Sequence, residues 1–419
     1  MTPAAPPTEA VRRGVRATYA TFATSGFAFA NWASRIPQVK EHLELSAGQL
    51  GYLLLAIAAG SVVSLPAAGP LITAIGSART VVLNAWLLAV GFVVAGIGYE
   101  VGVPLVAVGL FVFGFATGAW DVAMNVQGAT VERALGRSIM PRFHAGWSFG
   151  TVAGALLGAL LVAVHAPVTA HLIGTAVVAA VVVPFAVRAY LPDHAEPEPE
   201  DGSPASSGTR RALAAWREPR TLLTGLFVLS FAFAEGAGND WASVALKEDH
   251  HTSAAVGTLG FAVFLASMTA GRWVGPALLD RFGRVPVVRA LAVVAVVGVL
   301  LFAFGGSTPV AFVGAVLWGV GTSLGFPVGM SAGADDPRHA AARVSVVASV
   351  GYLAFLGGPP LLGFLGDHYT VLKSLAAVAV MLGVSALIAG AVRERGPATG
   401  QSTSGRTSDA TSSTNSSNA

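Results

Sequence analysis

Apolar positions in this chain come in long unbroken runs, separated by short polar breaks. Twelve runs stand at about 15–34, 49–74, 80–98, 103–129, 143–164, 168–190, 221–241, 254–279, 286–304, 308–332, 343–366 and 371–393. About 20 residues at 1.5 Å each cross a 30 Å hydrocarbon layer, so each run predicts a membrane-spanning helix. The runs are continuous, not alternating, which argues against barrel strands. The predicted class is an all-α membrane protein with twelve transmembrane helices.

The breaks are short except one. From Leu191 to Arg220 the chain turns to "PDHAEPEPEDGSPASSGTRR", rich in Pro, Glu and Ser, which reads as a linker. It divides the spans six and six. The predicted organisation is an N-terminal segment 1–14, a six-helix bundle 15–190, a linker 191–220, a second bundle 221–393 and a polar, low-complexity tail 394–419 expected to be disordered. The chain also repeats itself across that linker. "NWASRIPQVKEHLELSAGQLG" (Asn31 to Gly51) is echoed by "NDWASVALKEDHHTSAAVGTLG" (Asn239 to Gly260). Trp32 matches Trp241, Ala33 Ala242, Ser34 Ser243, Gly48 Gly257, Leu50 Leu259 and Gly51 Gly260, all at an offset of 209. A duplicated half is expected to give a pseudo-symmetric molecule.

Composition fits. Hydrophobic residues make up 54% of the 419 and charged residues 11%, where a soluble domain carries about 25% charged. The net charge of +3 matters less than its placement. Arg79, Arg133, Arg142, Arg188, Arg220, Arg284, Arg289 and Arg343 fall in one set of connections. Arg35 and the three lysines, Lys40, Lys247 and Lys373, fall in the other. The excess of arginine marks the cytoplasmic side, placing both termini in the cytoplasm of a cell with its plasma (inner) membrane as host. Ala28 to Ala30 imitates a signal-peptide cleavage site, but the mid-chain counterpart of the first span argues against cleavage. There is no Cys, excluding disulfides and thiolate chemistry, and no phosphate loop, excluding ATP hydrolysis by this chain.

Charge inside lipid costs about 2.5–3.5 kcal/mol per residue on insertion scales, so charges within spans should face protein or water. The acids within spans are Asp121 on the fourth and Glu235 and Asp240 on the seventh. Thr117, Asp121 and Asn125 share a helix face at i, i+4, i+8, which Glu132 continues; Glu235, Asn239 and Ser243 do the same; Thr24, Asn31 and Arg35 share a face of the first span. A carboxyl that is costly to keep charged suits a proton carrier; a structural carboxyl bonded to neighbouring helices is the alternative reading for Asp121 and Glu235. Asp240, near the predicted helix end, reads as solvated. Trp120, beside Asp121, is a candidate for stacking on a ligand, with plain packing as the alternative. Trp32 and Trp241 read as interfacial or gate-packing residues. Arg272 reads as snorkelling, pairing with Asp280, or contacting an anionic substrate. Glu132 and Arg133 read as pairing with neighbouring loops or as a solvated helix end.

Two Gly-x-Ser-x-Gly stretches, at Gly146 and Gly329, lie in helical runs and not on a strand–turn–helix, so they are not nucleophile elbows. Gly146, Gly150, Gly154 and Gly158, spaced by four, are a close-packing stripe. His144 near the end of the same helix is a candidate for substrate contact or a satisfied interfacial histidine. Pro327 should break the tenth span. "DHH" at Asp249 to His251 reads as a solvated loop, so no metal is expected, and no catalytic residues.

The loop after the eighth span, "GPALLDRFGRVPVVR", resembles the signature loop of the major facilitator superfamily: Asp280, Arg281, Gly283 and Arg284 match, with Gly275 one residue early. The equivalent loop "GPLITAIGSAR" keeps Gly69, Gly76 and Arg79 without the acid. The resemblance covers about 15–393. It implies two six-helix bundles around a central cavity lined by helices 1, 4, 7 and 10, and a charge latch at Gly275, Asp280, Arg281, Gly283 and Arg284 assisted by Glu132 and Arg133. The glycine stripe resembles that of drug/proton antiporters, without their Pro. The "NWASRIP" opening resembles a bacterial subgroup near fucose-permease-like sugar transporters. The expected function is proton-coupled uptake of a small polar solute such as a sugar, or else proton-coupled efflux of drugs or metabolites. Asp121, Asn125, Glu235, Asn239, Asn31 and Trp120 are expected along the substrate and proton pathway. Expected partners are a small-molecule substrate and lipid, with no nucleic acid, no ATP and no cofactor beyond a proton gradient, for a monomer.

Overall fold

The computed structural model describes residues 8–136, 139–193, 214–336 and 339–394. All regular structure among them is helical. The first half comprises α1 (Glu9–Ala33), α2 (Ile36–His42), α3 (Ala47–Ile75), α4 (Ser77–Val101), α5 (Val103–Leu135), α6 (Met140–Ala163) and α7 (Val168–Val187). The second comprises α8 (Pro219–Glu248), α9 (Ala254–Phe282), α10 (Arg284–Phe304), α11 (Thr308–Thr322), α12 (Gly325–Gly333), α13 (Ala340–His368), α14 (Val371–Ser374) and α15 (Ala376–Ile388), ending in a 3-10 turn, Ala389–Val392. Among the described residues eleven spans are long and apolar enough to cross a membrane. The twelfth passage is α1. It is 25 residues long, but Thr18, Thr21, Thr24, Ser25 and Asn31 dilute its apolar character, and all five are buried against the rest of the protein. Most of the predicted linker, from 194 to 213, the segment 1–7 and the tail from 395 lie outside the described residues.

The passages alternate in direction, so one end gathers the arginines and the other the lysines; these are called the arginine end and the lysine end. Tight turns at the arginine end join α3 to α4 and α9 to α10 through Gly76 (φ 84°) and Gly283 (φ 78°). Positive φ there favours glycine. At the lysine end, α3 and α9 both start on a serine cap, with Ser46 Oγ accepting from Gln49 N and Ser253 Oγ from Val256 N. The turn glycines and the cap serines are each 207 residues apart, two fewer than the offset of the sequence motifs.

Span ten is broken between Thr322 and Gly325. Pro327 has no N–H, so the carbonyl of Ser323, four residues earlier, loses its helical donor. Span seven differs from expectation. α8 runs on to Glu248, so Asp240 sits about 12 Å inside the helix end and is not a solvated terminal residue.

Within each half the helices pack closely: α1 on α6 and α7, α5 on α3 and α4, α8 on α9, α13 and α15. The glycine stripe of α6 serves the first of these contacts. A Cβ at Gly146, Gly150, Gly154 or Gly158 would meet Tyr19, the Ala23 carbonyl, the Phe27 carbonyl or Ser34 of α1, and one at Gly26 would meet the Trp147 carbonyl. Between halves, α3 packs on α13, α6 on α9 and α2 on α8.

A charge network ties the arginine end of the second half. Arg343 donates to Glu218 (2.7 and 3.2 Å) and Asp336 (3.0 Å); Arg284 donates to Asp335 (2.7 Å). The Arg343 hydrogen bond holds the Glu218 carboxyl below its ordinary value. A carboxyl depressed in the folded state contributes stability above its unfolded value, and loses it as pH falls through the folded one. Between about pH 5 and pH 3 the melting temperature of the wild type is therefore expected to fall more steeply than that of Arg343→Ala. Parallel curves would remove this pair from the stability of the fold.

Candidate functional site

Asp121 lies 18 residues into α5, about 27 Å from the lysine end and about 21 Å from the arginine end. The residue is exposed, and among the described residues no cation pairs with it. The hydrogen-bond partner is Asn125, whose Nδ2 donates to the Asp121 carbonyl (2.8 Å) and more weakly to Oδ1 (3.4 Å). Since α5 packs on helices of its own half, the exposed face opens to the gap between halves. Across that gap, within electrostatic range of Asp121, stands Tyr352 of α13, 38% exposed.

Glu235 lies 16 residues into α8, at about 24 Å. It is paired with Arg272 of α9, whose Nη2 donates to both carboxylate oxygens at 2.9 and 2.8 Å. The side chains keep 13% and 25% of their exposure. This corrects the expectation for Arg272, which neither snorkels nor pairs with Asp280, for it lies about 15 Å inside the end of α9. Glu235 is bonded to a neighbouring helix, in line with the alternative reading of its carboxyl. Arg272 Nε also donates to the Ser323 carbonyl (3.3 Å) at the break in span ten. From the first half, His144 of α6 lies within electrostatic range of Arg272. Each of the two mid-membrane carboxyl sites thus has a side chain of the opposite half in its electrostatic neighbourhood, with no hydrogen bond to it among the described residues.

The other pathway candidates are placed elsewhere. Trp120 is fully buried in the core and cannot stack on a ligand in this conformation. Asn31 is fully buried as well, in a chain the sequence did not reveal: Arg35 Nε donates to His171 Nδ1 (2.7 Å), and His171 Nε2 lies 2.5 Å from Asn31 Oδ1. Asn239 is buried with Oδ1 unpartnered. Trp32 and Trp241 are core residues, not interfacial anchors.

A family model described as Major Facilitator Superfamily matches residues 18–359 and, in a second match, 232–414. The chain belongs to the major facilitator superfamily. Among superfamily relatives, an uncharacterised transporter of Sinorhizobium fredii is 31% identical over 386 residues, covering 90% of this chain and 98% of the relative. An uncharacterised MFS-type transporter of Yersinia pestis is 30% identical over 388 residues, covering 89% and 95%. The nucleoside transporter NupG shares the fold at a TM-score of 0.72 and 14% identity, covering 90% of this chain and 98% of that one. The E. coli fucose:proton symporter FucP does so at 0.63 and 16%, covering 91% and 98%. The protein is a multi-pass secondary transporter of this superfamily, not an enzyme.

The superfamily signature loop places Gly275 against Leu324 and Gly283 in the turn. Arg284 pairs with Asp335, Ser331 Oγ (3.0 Å) and Glu394 (3.7 Å), all within the second half. Asp280 and Arg281 are exposed; Asp280 makes no ion pair among the described residues, and the Arg281 guanidinium lies over the Phe282 ring. Glu132 accepts from the Ile139 and Met140 amides (2.7 and 2.8 Å), capping α6, and Arg133 Nη2 reaches Thr130 Oγ1 (3.4 Å). None of these bonds joins the halves.

Bonds that do join the halves are found at the lysine end. Two Lys-Glu dipeptides pair crosswise: Lys40 with Glu248 (2.6 Å), and Lys247 with Glu41. Ser46 Oγ donates to Asp367 (3.0 Å) and Thr258 Oγ1 to the Ser34 carbonyl (3.3 Å). In the same loop region, Asp249 caps α14 through the Leu372 amide (2.8 Å) and His250 Nε2 lies 3.1 Å from the Phe302 carbonyl, so the first two residues of "DHH" are structural, while His251 is exposed as expected of a solvated loop. The bonds between the halves hold the lysine end closed.

Proposed function

We propose that this transporter takes up a small polar solute, such as a sugar, in symport with protons, by alternating access in the plasma membrane. The observation that carries the reading is Asp121: a carboxyl at mid-depth, open to the gap between halves, with no cation paired to it among the described residues. Such a group takes a proton or a polar substrate donor more readily than a permanent partner. Glu235, held by Arg272, is the second carrier. With the arginines in the cytoplasm, as the charge asymmetry favours, both termini are cytoplasmic and the closed lysine end faces outward. The substrate site then opens inward. The fold it shares with a fucose:proton symporter and a nucleoside transporter supports a polar substrate. The chain requires no ATP and works as a monomer on this reading.

The test uses purified protein. A thermal-shift panel of sugars, nucleosides, amino acids and drugs finds a ligand, and proteoliposomes loaded with a pH dye then report proton movement. Asp121→Asn is expected to lower ligand-driven proton uptake at least tenfold while leaving the protein folded. Undiminished proton uptake in the double variant Asp121→Asn, Glu235→Gln would end the coupling reading. Outward movement of ligand with inward protons would reverse the direction in favour of efflux.

A further inference from the structure

The Arg272 side chain does two jobs with one rigid group. Its Nη2 holds the Glu235 carboxylate on α8, at 2.9 and 2.8 Å, and its Nε holds the Ser323 carbonyl, at 3.3 Å. That carbonyl is the one Pro327 leaves without a helical donor, at the junction where α11 ends and α12 begins. A guanidinium is planar, with donors in a fixed fork, so it cannot turn toward a new partner at Nη2 without moving Nε. The surroundings leave little room for slack. Gly271, the preceding residue, faces the Ser323 side chain, and Gly275, one turn on, faces Leu324 of the same junction. The titratable neighbours are Glu235 on α8 and His144 on α6.

We infer that Arg272 is the positioning residue that ties the charge on Glu235 to the bend of span ten. While Glu235 is anionic, the guanidinium is pinned and the orphaned Ser323 carbonyl is satisfied. When Glu235 is neutralised, the ion pair weakens, Arg272 swings, and the Ser323 carbonyl loses its donor. The α11–α12 junction then relaxes, and α12, which ends beside the Arg284–Asp335 pair at the arginine end, moves with it. Loading at mid-membrane is thereby transmitted to the end through which the site opens. The inference rests on the reading of Glu235 as a carrier.

The chain contains no cysteine, so spin labels can be placed on the otherwise unaltered protein. Labels on Ala134→Cys and Leu278→Cys, exposed positions toward the arginine end of the two halves, report their separation. Glu235→Gln, which mimics the neutral acid, is expected to shift the distance distribution. In an Arg272→Lys background, where the charge is kept but one ammonium cannot serve both partners in the same geometry, the shift is expected to vanish. Pro327→Ala restores an N–H to the Ser323 carbonyl and is expected to abolish the shift with Arg272 intact, which keeps the test available if Arg272→Lys does not fold. A Glu235→Gln shift of the same size in the wild type and in Pro327→Ala would overturn the role of Arg272 while leaving Glu235 as a carrier. No shift from Glu235→Gln in the wild-type background would overturn both.

Discussion

Replacing Lys40 and Lys247 together by glutamate is expected to open the lysine end. Each crosswise pair joins one half to the other, Lys40 to Glu248 and Lys247 to Glu41. All four side chains keep some exposure, so each pair is worth only roughly 0.2–1 kcal/mol. Reversal does more than remove two pairs: it sets four carboxylates against one another, with repulsion of comparable size. Together these amount to about 1–4 kcal/mol, a shift in the closed population of roughly fivefold to several hundredfold. The readout is a thiol at Thr258→Cys, fully buried where α9 meets the Ser34 carbonyl and the sole thiol in the chain. Its alkylation should accelerate in the double-reversal variant. Reversing Glu41 and Glu248 to lysine as well recreates both pairs with opposite polarity and should return the rate toward wild type. Unchanged alkylation in the double reversal would show that the clasp does not hold the closed state.

The second large effect concerns the glycine stripe. Gly150→Leu is expected to leave little folded protein after detergent extraction, read as loss of the monodisperse peak in size-exclusion chromatography. At Gly150 even a Cβ would strike the Ala23 carbonyl, which is backbone and cannot step aside without moving α1. Over-packing of a core costs typically 1–3 kcal/mol where neighbours can adjust; here the reciprocal approach of Gly26 to the Trp147 carbonyl fixes both helices at once, so the cost lies beyond that range. Gly174→Ala, with nothing within 4 Å of the added methyl, is the control and should keep or slightly raise the melting temperature. Equal behaviour of the two variants would refute close backbone packing as what joins α1 to α6.

Several of these features could be read from the sequence, and the reasons others could not are physical. Run length alone placed most span ends to within about three residues, because a hydrocarbon layer demands about 20 apolar residues whatever the fold; the helices that run on past their apolar stretch, at the start of α1 and the ends of α5 and α8, were missed by six or seven. Helical spacing marked Asp121 with Asn125, and the Pro327 break, correctly. It could not find the Arg272–Glu235 pair, because periodicity gives the face of one helix but not which neighbour it meets. Asp280, eight residues on in the same helix, is the local partner that spacing offers, and it is the wrong one. The crosswise clasp escaped for a related reason. The dipeptides stand 207 residues apart, as do the cap serines and turn glycines, whereas the motif match that drew attention runs at 209. Trp120 and Asn31 show the opposite failure: adjacency to an acid, or membership of a polar face, says nothing of whether neighbouring helices bury the side chain.

The shut lysine end also contains an opposing force. Arg35 Nη2, Gln38 Oε1, Asn239 Oδ1, Ser243 Oγ and the indole nitrogens of Trp32 and Trp241, all within the duplicated segments, are enclosed there without a hydrogen-bond partner among the described residues. Each such dehydrated group carries a penalty of about 1–3 kcal/mol. Letting water reach them would refund part of the contact energy lost on parting the halves. The seal thus has a polar interior, and parting the halves costs less than its apolar contacts alone would demand.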